Sequence, residues 1–469
     1  MKPILTRYLQ NFSRSILIVT ILVISISCED FVEIEAPETD IVSETVFQSN
    51  ATATSAVLHL YTEMNTSSDF AGGGSSSISL LQGLNADELT TLTSSVSTEL
   101  ESFFFNNVLS TGTEVANIWS TCYSIIYGTN AIIEGLKNSS RVSPELQEQL
   151  EGEAKFIRAF CHFYLVNLFG DIPYISSTDY RINSNVPRVS VSEVYQGITN
   201  DLLEAKDLLN NDYPTSNRVR PNRGVVTALL ARVYLYREDW INAEIQASEL
   251  IDSNPLYSLS EIDQTFLISS DETIWQLFPD EGNNNGNDGS TFIVVDAPRF
   301  VVMNEDLFNS FEDGDARKAK WIGSLTSDPE TYIFPFKYKS QESDPASEYT
   351  VVFRLAEQYL IRSEARAHQG NLSEAISDLD VIRQRAELQL ISAINPNISQ
   401  SNLLLAIELE RRLELFTEWG HRWFDLKRTG RAGTVLSIVK ESWESTDILL
   451  PLPQNETELN QNLTQNPGY

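Results

Sequence analysis

Apolar positions recur at three- and four-residue steps along much of the chain, and the clearest run spans 353–430. Ala356, Tyr359, Leu360, Ser363 and Ala367 share one helical face; Ala375, Ile376, Leu379, Ile382 and Ala386 share the next. Gly370 and Asn371 fall between them, where a helix end takes a left-handed residue. Ser373 is the expected cap of the second helix. So short a turn predicts two antiparallel helices with a common face. A third helix should carry Leu405, Leu409, Leu413 and Phe416 inward and a comb of charges outward.

The same period predicts helices over 46–64, 115–136, 144–168 and 192–209, the last capped by Ser192. Gly170 and Pro173 break the pattern in FGDIPY (169–174). Residues 223–255 follow the tetratricopeptide spacing, with Thr227, Leu230, Ala231, Tyr234, Ala243, Ala247 and Pro255 at its positions. Small residues fall where two helices must touch, and proline where the second must stop. The later block repeats this with Ser363 and Ala375, but Arg366 stands where tyrosine is usual. The helices flanking FGDIPY make a further candidate pair. The expected fold is mainly α, a tetratricopeptide-like scaffold over about 115–255 and 350–430, built of scattered pairs rather than a continuous array.

Two stretches lack this period. Residues 69–77 (DFAGGGSSS) and the Ser/Thr-rich 90–98 read as loop, followed by Phe103, Phe104 and Phe105. Between 256 and 350, residues 272–278 and 291–302 read as short strands, and 280–290 (DEGNNNGNDGS) reads as loop. An irregular, partly β portion over about 66–110 and 256–350 is the expected place for a ligand. The extended C-terminal tail must dock to be ordered.

The 469 residues, 42% hydrophobic, can bury a large core, and 46–469 is read as one domain. A formal net charge of −32 argues against a nucleic-acid partner or contact with an anionic membrane surface, and is compatible with an uncharged ligand. Lys2, Arg7 and Arg14 precede an apolar run at 16–26, too short for a comfortable membrane span. Residues 1–27 therefore read as a signal peptide. Ser27 before Cys28 looks like a bacterial lipobox, so Cys28 is the expected lipidation site and 28–45 the tether. Cys122 and Cys161 sit in apolar helical patterns; an oxidising compartment would allow them to pair, and two buried free thiols are the more ordinary reading.

In order along the chain stand the lipobox, IRAFCHFYLVNLFGDIPY, FRLAEQYLIRSEARAHQG, ERRLELFTEWGHRWFDLKRTG, LPLPQNE and QNPGY. Together they resemble the RagB/SusD family of Bacteroidetes outer-membrane lipoproteins over nearly the whole length. Glu29 and Asp30 resemble the surface-export signal of such lipoproteins. The resemblance implies a helical scaffold cradling an irregular ligand-binding part. It implies a surface-exposed, lipid-anchored, non-enzymatic nutrient-uptake protein that hands a glycan, or in some members a peptide, to a SusC-like TonB-dependent transporter.

Flat aromatic faces and nearby amides suit sugar binding, so Trp321, Trp275, Phe103, Phe104, Phe105 and Asn284 are the candidate ligand residues. Glu410, Glu414 and Glu418 step by four, with Arg411, Arg422, Asp425 and Arg428 close in sequence. Two carboxylates could serve a secreted glycoside hydrolase, the rival reading. Interleaved arginines would hold them ionised, so the set reads as a structural ion-pair network. His59, His162, His368 and His421 share no ligand spacing, and no cofactor or metal is expected. Glu281, Asn283, Asn285 and Gly286 have a faint calcium-loop spacing, but Phe292 stands at the twelfth position.

Overall fold

The computed structural model describes residues 46–66, 70–91, 98–253, 255–279, 285–296, 300–327 and 329–469. The expected signal peptide, Cys28, the tether, Glu281, Asn283 and Asn284 lie outside them. Among the described residues twelve helices have eight residues or more. The first five are α1 (Asn50–Thr66), α2 (Ile78–Asn85), α3 (Thr113–Asn138), α4 (Pro144–Phe169) and α5 (Val191–Leu208). Then come α6 (Arg223–Tyr236), α7 (Trp240–Asp252), α8 (Leu355–His368) and α9 (Leu372–Arg385). The last three are α10 (Gln400–Glu414), α11 (His421–Arg428) and α12 (Ala432–Val439).

Local chemistry sets most of these boundaries. Pro144 opens α4, where its missing N–H costs nothing. Ser190, not Ser192, caps α5, and its hydroxyl and Glu193 form a capping box. Asn371 rather than Ser373 occupies the cap position of α9. The block at 353 begins one element earlier than its period suggests, because Thr350–Arg354 is a strand and α8 starts at Leu355.

Each helix from α3 to α9 packs on the next, and α10 packs on α8. The pairs that are scattered in sequence therefore form a continuous stack in space, which corrects the expectation of separate pairs. Side chains fasten the joint between α7 and α8: Arg362 pairs with Asp252 at 2.6 Å and Arg366 with Glu244 at 2.8 Å. The arginine that replaces tyrosine in the repeat thus links two units. Within the later unit, Ser363 donates to the Ala375 carbonyl at 2.7 Å, so its small side chain also ties the helix pair.

The irregular portion is inserted between α7 and α8. Its base is closed by β2 (Thr273–Leu277) pairing antiparallel with β6 (Thr350–Arg354). β1 (Leu89–Thr91) pairs with β3 (Val301–Met303), and β4 (Ile322–Ser327) forms a hairpin with β5 (Glu330–Pro335). Within the expected strand at 291–302 the described β-strand is Val301–Met303, and a short helix, Asn287–Phe292, takes the first residues of the range.

The glycine-rich stretch is not a surface excursion. Residues 70–74 are buried, and α2 is buried along its whole length. Phe70 packs against Phe160, Tyr164 and Trp419, with ring centroids 6.0, 5.5 and 6.5 Å away. A Cβ on Gly72 would stand 2.4 Å from the Asn65 carbonyl oxygen, so close backbone approach requires glycine there. Asn287 and Thr291 donate to the carbonyls of Gly72 and Gly73 at 2.7 and 2.8 Å, tying the inserted portion to this buried loop. The C-terminal tail docks on the FGDIPY turn. Leu450 N–H donates to the Leu168 carbonyl at 2.8 Å, and the Asn466 amide donates to the Phe169 and Leu450 carbonyls at 2.9 and 2.7 Å.

Candidate functional site

The charged comb lies inside the protein, not outside. On α10, Leu405 and Leu409 are 49% and 40% exposed, whereas Glu410, Arg411 and Glu414 are buried with Leu413. The expected polarity of this helix is thus reversed for its charges and for two of its four leucine and phenylalanine positions; Leu413 and Phe416 are inward as expected. α10 ends at Glu414, so Glu418 stands in the following turn rather than on the helix.

The reason is a set of cations that reach the helix from other segments. Glu414 meets Arg354 at 2.6 Å and Arg317 at 3.1 Å, and also pairs with Arg385. Glu410 meets Arg317 and Arg383 at 2.6 and 3.1 Å. Glu418 pairs with Arg354 at 2.7 Å and with Lys337. Asp425 meets Arg411 at 2.7 Å and Arg428 at 2.8 Å, and Arg422 meets Asp87 at 2.7 Å. Burial would raise the Glu414 carboxyl, but Arg385, Arg354 and Arg317 outweigh it and hold the group well below the usual range. Glu418 is likewise lowered, against burial, by Arg354 and Lys337. These carboxylates stay ionised and shared among guanidiniums, which makes them a frame and poor general acids.

Trp275 and Trp321 have no exposed surface. The Trp275 indole N–H donates to the Val219 carbonyl at 3.1 Å, and its ring packs on Phe156, Phe160 and Phe353. The Trp321 N–H donates to the Ile262 carbonyl at 2.8 Å, within a cluster holding Phe266, Leu307, Phe311 and Phe416. Both are core residues with satisfied polar atoms, so the expectation that they face a ligand is corrected. A large indole in an irregular stretch found its partners from elsewhere in the chain.

The three phenylalanines divide. Phe103 is buried, Phe104 is partly buried beneath Lys440, and Phe105 is 43% exposed. Asn106, in the left-handed region at φ 54°, turns the chain there. Its amide donates to the Asn85 carbonyl at 3.1 Å. The buried Lys440 ammonium donates to the Leu84 and Phe104 carbonyls, both at 2.7 Å, and lies 4.1 Å from the Phe104 ring centroid. Ser442 also donates to the Phe105 carbonyl, and Gln454 N–H to that of Ser110 at 2.9 Å. The turn that presents Phe105 is therefore clamped to α2 and to the C-terminal segment.

Beside it lies a groove of about 310 Å³, lined by Glu99, Glu101, Phe105, Asn107, Leu109 and Thr111 among others. Leu109 is 64% exposed. An exposed ring and leucine bordered by carboxylates, an amide and hydroxyls is an amphipathic surface of the kind a sugar ring fits. Sequence reasoning missed Leu109 and the polar rim; the Asn106-Asn107 pair was the available turn signal. Asn285, from the faint calcium spacing, is buried and accepts from the N–H groups of Ser347 and Glu348 at 2.9 and 3.2 Å. Cys122 and Cys161 are buried and free.

Two family models match the chain, one described as starch-binding and associating with the outer membrane over 43–235, the other as the SusD family over 304–469. The chain belongs to the SusD family. The SusD-like protein P25 of Formosa agariphila is 24% identical over 97% of this chain and 99% of its own length. A SusD superfamily protein from Bacteroides vulgatus has the same fold, with a TM-score of 0.79 at 19% identity over 90% of this chain and all of that one. A laminarin-binding SusD-like protein matches with a TM-score of 0.76 at 24% identity over the same shares. No helix among the described residues of this SusD-family chain is long and apolar enough to cross a membrane.

Proposed function

We propose that this SusD-family chain is a binding protein that captures a glycan at the Phe105 groove and passes it to a TonB-dependent transporter. Held by a lipid on Cys28, it would work at the outer surface of the outer membrane. The observation that carries this reading is the groove itself, an exposed aromatic and a leucine on a clamped turn, rimmed by Glu99, Glu101, Asn107 and Thr111. The laminarin-binding relative supports a polymeric sugar as the ligand class. Against a hydrolase stands the state of Glu414 and Glu418, which are ion-paired and held ionised by their cations.

The test is calorimetry of the chain from residue 29 onward against a panel of neutral oligosaccharides, β-glucans and starch fragments included. Glu44–Tyr469 is one compact unit, so this form keeps the fold. Binding is expected for at least one glycan, weakened about tenfold or more by Phe105→Ala. Hydrolysis of the bound glycan by the purified protein, or unchanged affinity in the variant, would sink the proposal. Co-purification with a transporter from detergent-solubilised membranes tests the hand-off.

A further inference from the structure

A second and larger cleft, about 760 Å³, lies where the end of α4, the FGDIPY turn, the start of α5, α11 and the C-terminal tail meet. Asn167, Arg188, Tyr195, Tyr236, Lys427 and Gln465 are among the residues that line it. Its charge runs against that of the molecule, which has 33 basic and 65 acidic residues. Arg428 also lines it but is neutralised by Glu364 and Asp425, at 2.5 and 2.8 Å.

Lys427 and Arg188 are different. Lys427, in the last turn of α11, donates to the Asn167 carbonyl, and among the described residues no carboxylate pairs with it. An ammonium has three donors, and this one uses a single carbonyl. Burial, with no opposing charge to offset it, pushes the group down to about 7. Lys427 also lies 5.8 Å from the Trp423 ring centroid, a longer and weaker contact than the 4.1 Å from Lys440 to Phe104, and Lys440, also depressed by burial, has two carbonyls besides. The Arg188 guanidinium donates to the carbonyls of Asp171, Phe169 and Thr464 and to the Asn466 side chain, all neutral oxygens. The cleft's carboxylate, Asp171, accepts from Val191 N–H at 2.9 Å and offsets part of the Arg188 charge. Lys427 remains without a counter-charge. Tyr195 and Tyr236 add ring surface to the wall, the Tyr195 hydroxyl donating to Asn167 at 3.0 Å.

We propose that this cleft is a second binding site, for a sugar bearing an oxyanion (a uronate carboxylate or a sulfate ester), with Lys427 as the charge that selects it. An oxyanion would supply the ammonium with the charge-assisted bonds that the fold leaves unmade. The site is separate from the Phe105 groove and does not depend on the groove binding anything.

The test uses residues 29–469 carrying Phe105→Ala, so that the groove does not contribute. Calorimetric titrations compare a short oligogalacturonate, a sulfated galactose oligosaccharide and a neutral galactose oligosaccharide of equal length. At least one charged sugar is expected to bind saturably and the neutral one not, and which charged sugar binds identifies the oxyanion. Lys427→Gln is expected to weaken binding about tenfold or more, and Lys427→Arg to retain most of it. Reductive methylation of Lys427 in the otherwise native chain should slow when that sugar is present, a readout that survives if the Gln variant folds poorly. Absence of binding by both charged sugars, equal binding of the neutral one, or full affinity in Lys427→Gln overturns the proposal. None of these outcomes touches the neutral-glycan titration that tests the Phe105 groove.

Discussion

Trp321 and Phe105 both come from irregular stretches, and the fold sends them to opposite fates. Trp321→Ala would empty a site enclosed by Phe266, Phe311 and Phe416 and orphan the Ile262 carbonyl. A loss of about 3–5 kcal/mol in urea denaturation is expected. Phe105→Ala removes a half-exposed ring and should change stability by no more than about 0.5 kcal/mol. Glu88 offers a different test. One of its carboxylate oxygens accepts from Thr417 N–H at 3.2 Å, and the other has no partner. Burial pushes the group from 4.5 up to about 8. A raised carboxyl keeps its proton in the folded state, so its contribution is intact below pH 4.5 and is lost as the pH climbs toward 8. Glu88→Gln cannot ionise, and its stability relative to the parent should therefore improve across that window. Parallel pH profiles in chemical denaturation would count against the assignment.

For elements, α10 carries the main lesson. Its sequence admits an apolar face through Leu405 and Leu409, yet the helix turns Glu410, Arg411 and Glu414 inward. Those charges are tolerable inside because Arg317, Arg354 and Arg385 arrive from three other segments. Arg354→Met would strip Glu272, Glu414 and Glu418 of a shared partner. An equilibrium unfolding loss of about 3–5 kcal/mol is expected, because breaking a buried pair leaves bare charge behind. The turn from α10 to α11 depends on Gly420, at φ 72°, where a Cβ would stand 2.8 Å from that of Gln82. Gly420→Ala should cost about 1–3 kcal/mol, read as a lowered denaturation midpoint.

Across the described residues, the helix stack, the inserted portion and the buried glycine-rich loop share one interior. Phe160 of α4 shows this, since its ring meets Phe70, Trp275, Phe353 and Trp419 from four separate stretches. Deleting residues 447–469 would uncover the FGDIPY turn and release the Gln454 bond to Ser110, loosening both clefts. A lower thermal midpoint is expected, together with weaker binding at the Phe105 groove; an unchanged midpoint would show the tail to be dispensable. The helices, the repeat spacing of Ala231, Ala243 and Ala247, and the family were legible in the chain. They rest on local periodicity and on small residues at contacts between neighbouring helices. The orientation of α10, the burial of Phe70, Trp275 and Trp321, and the exposure of Phe105 were not. Each depends on partners far away in sequence, and neither a charge nor a ring carries any local mark of whether such a partner will reach it.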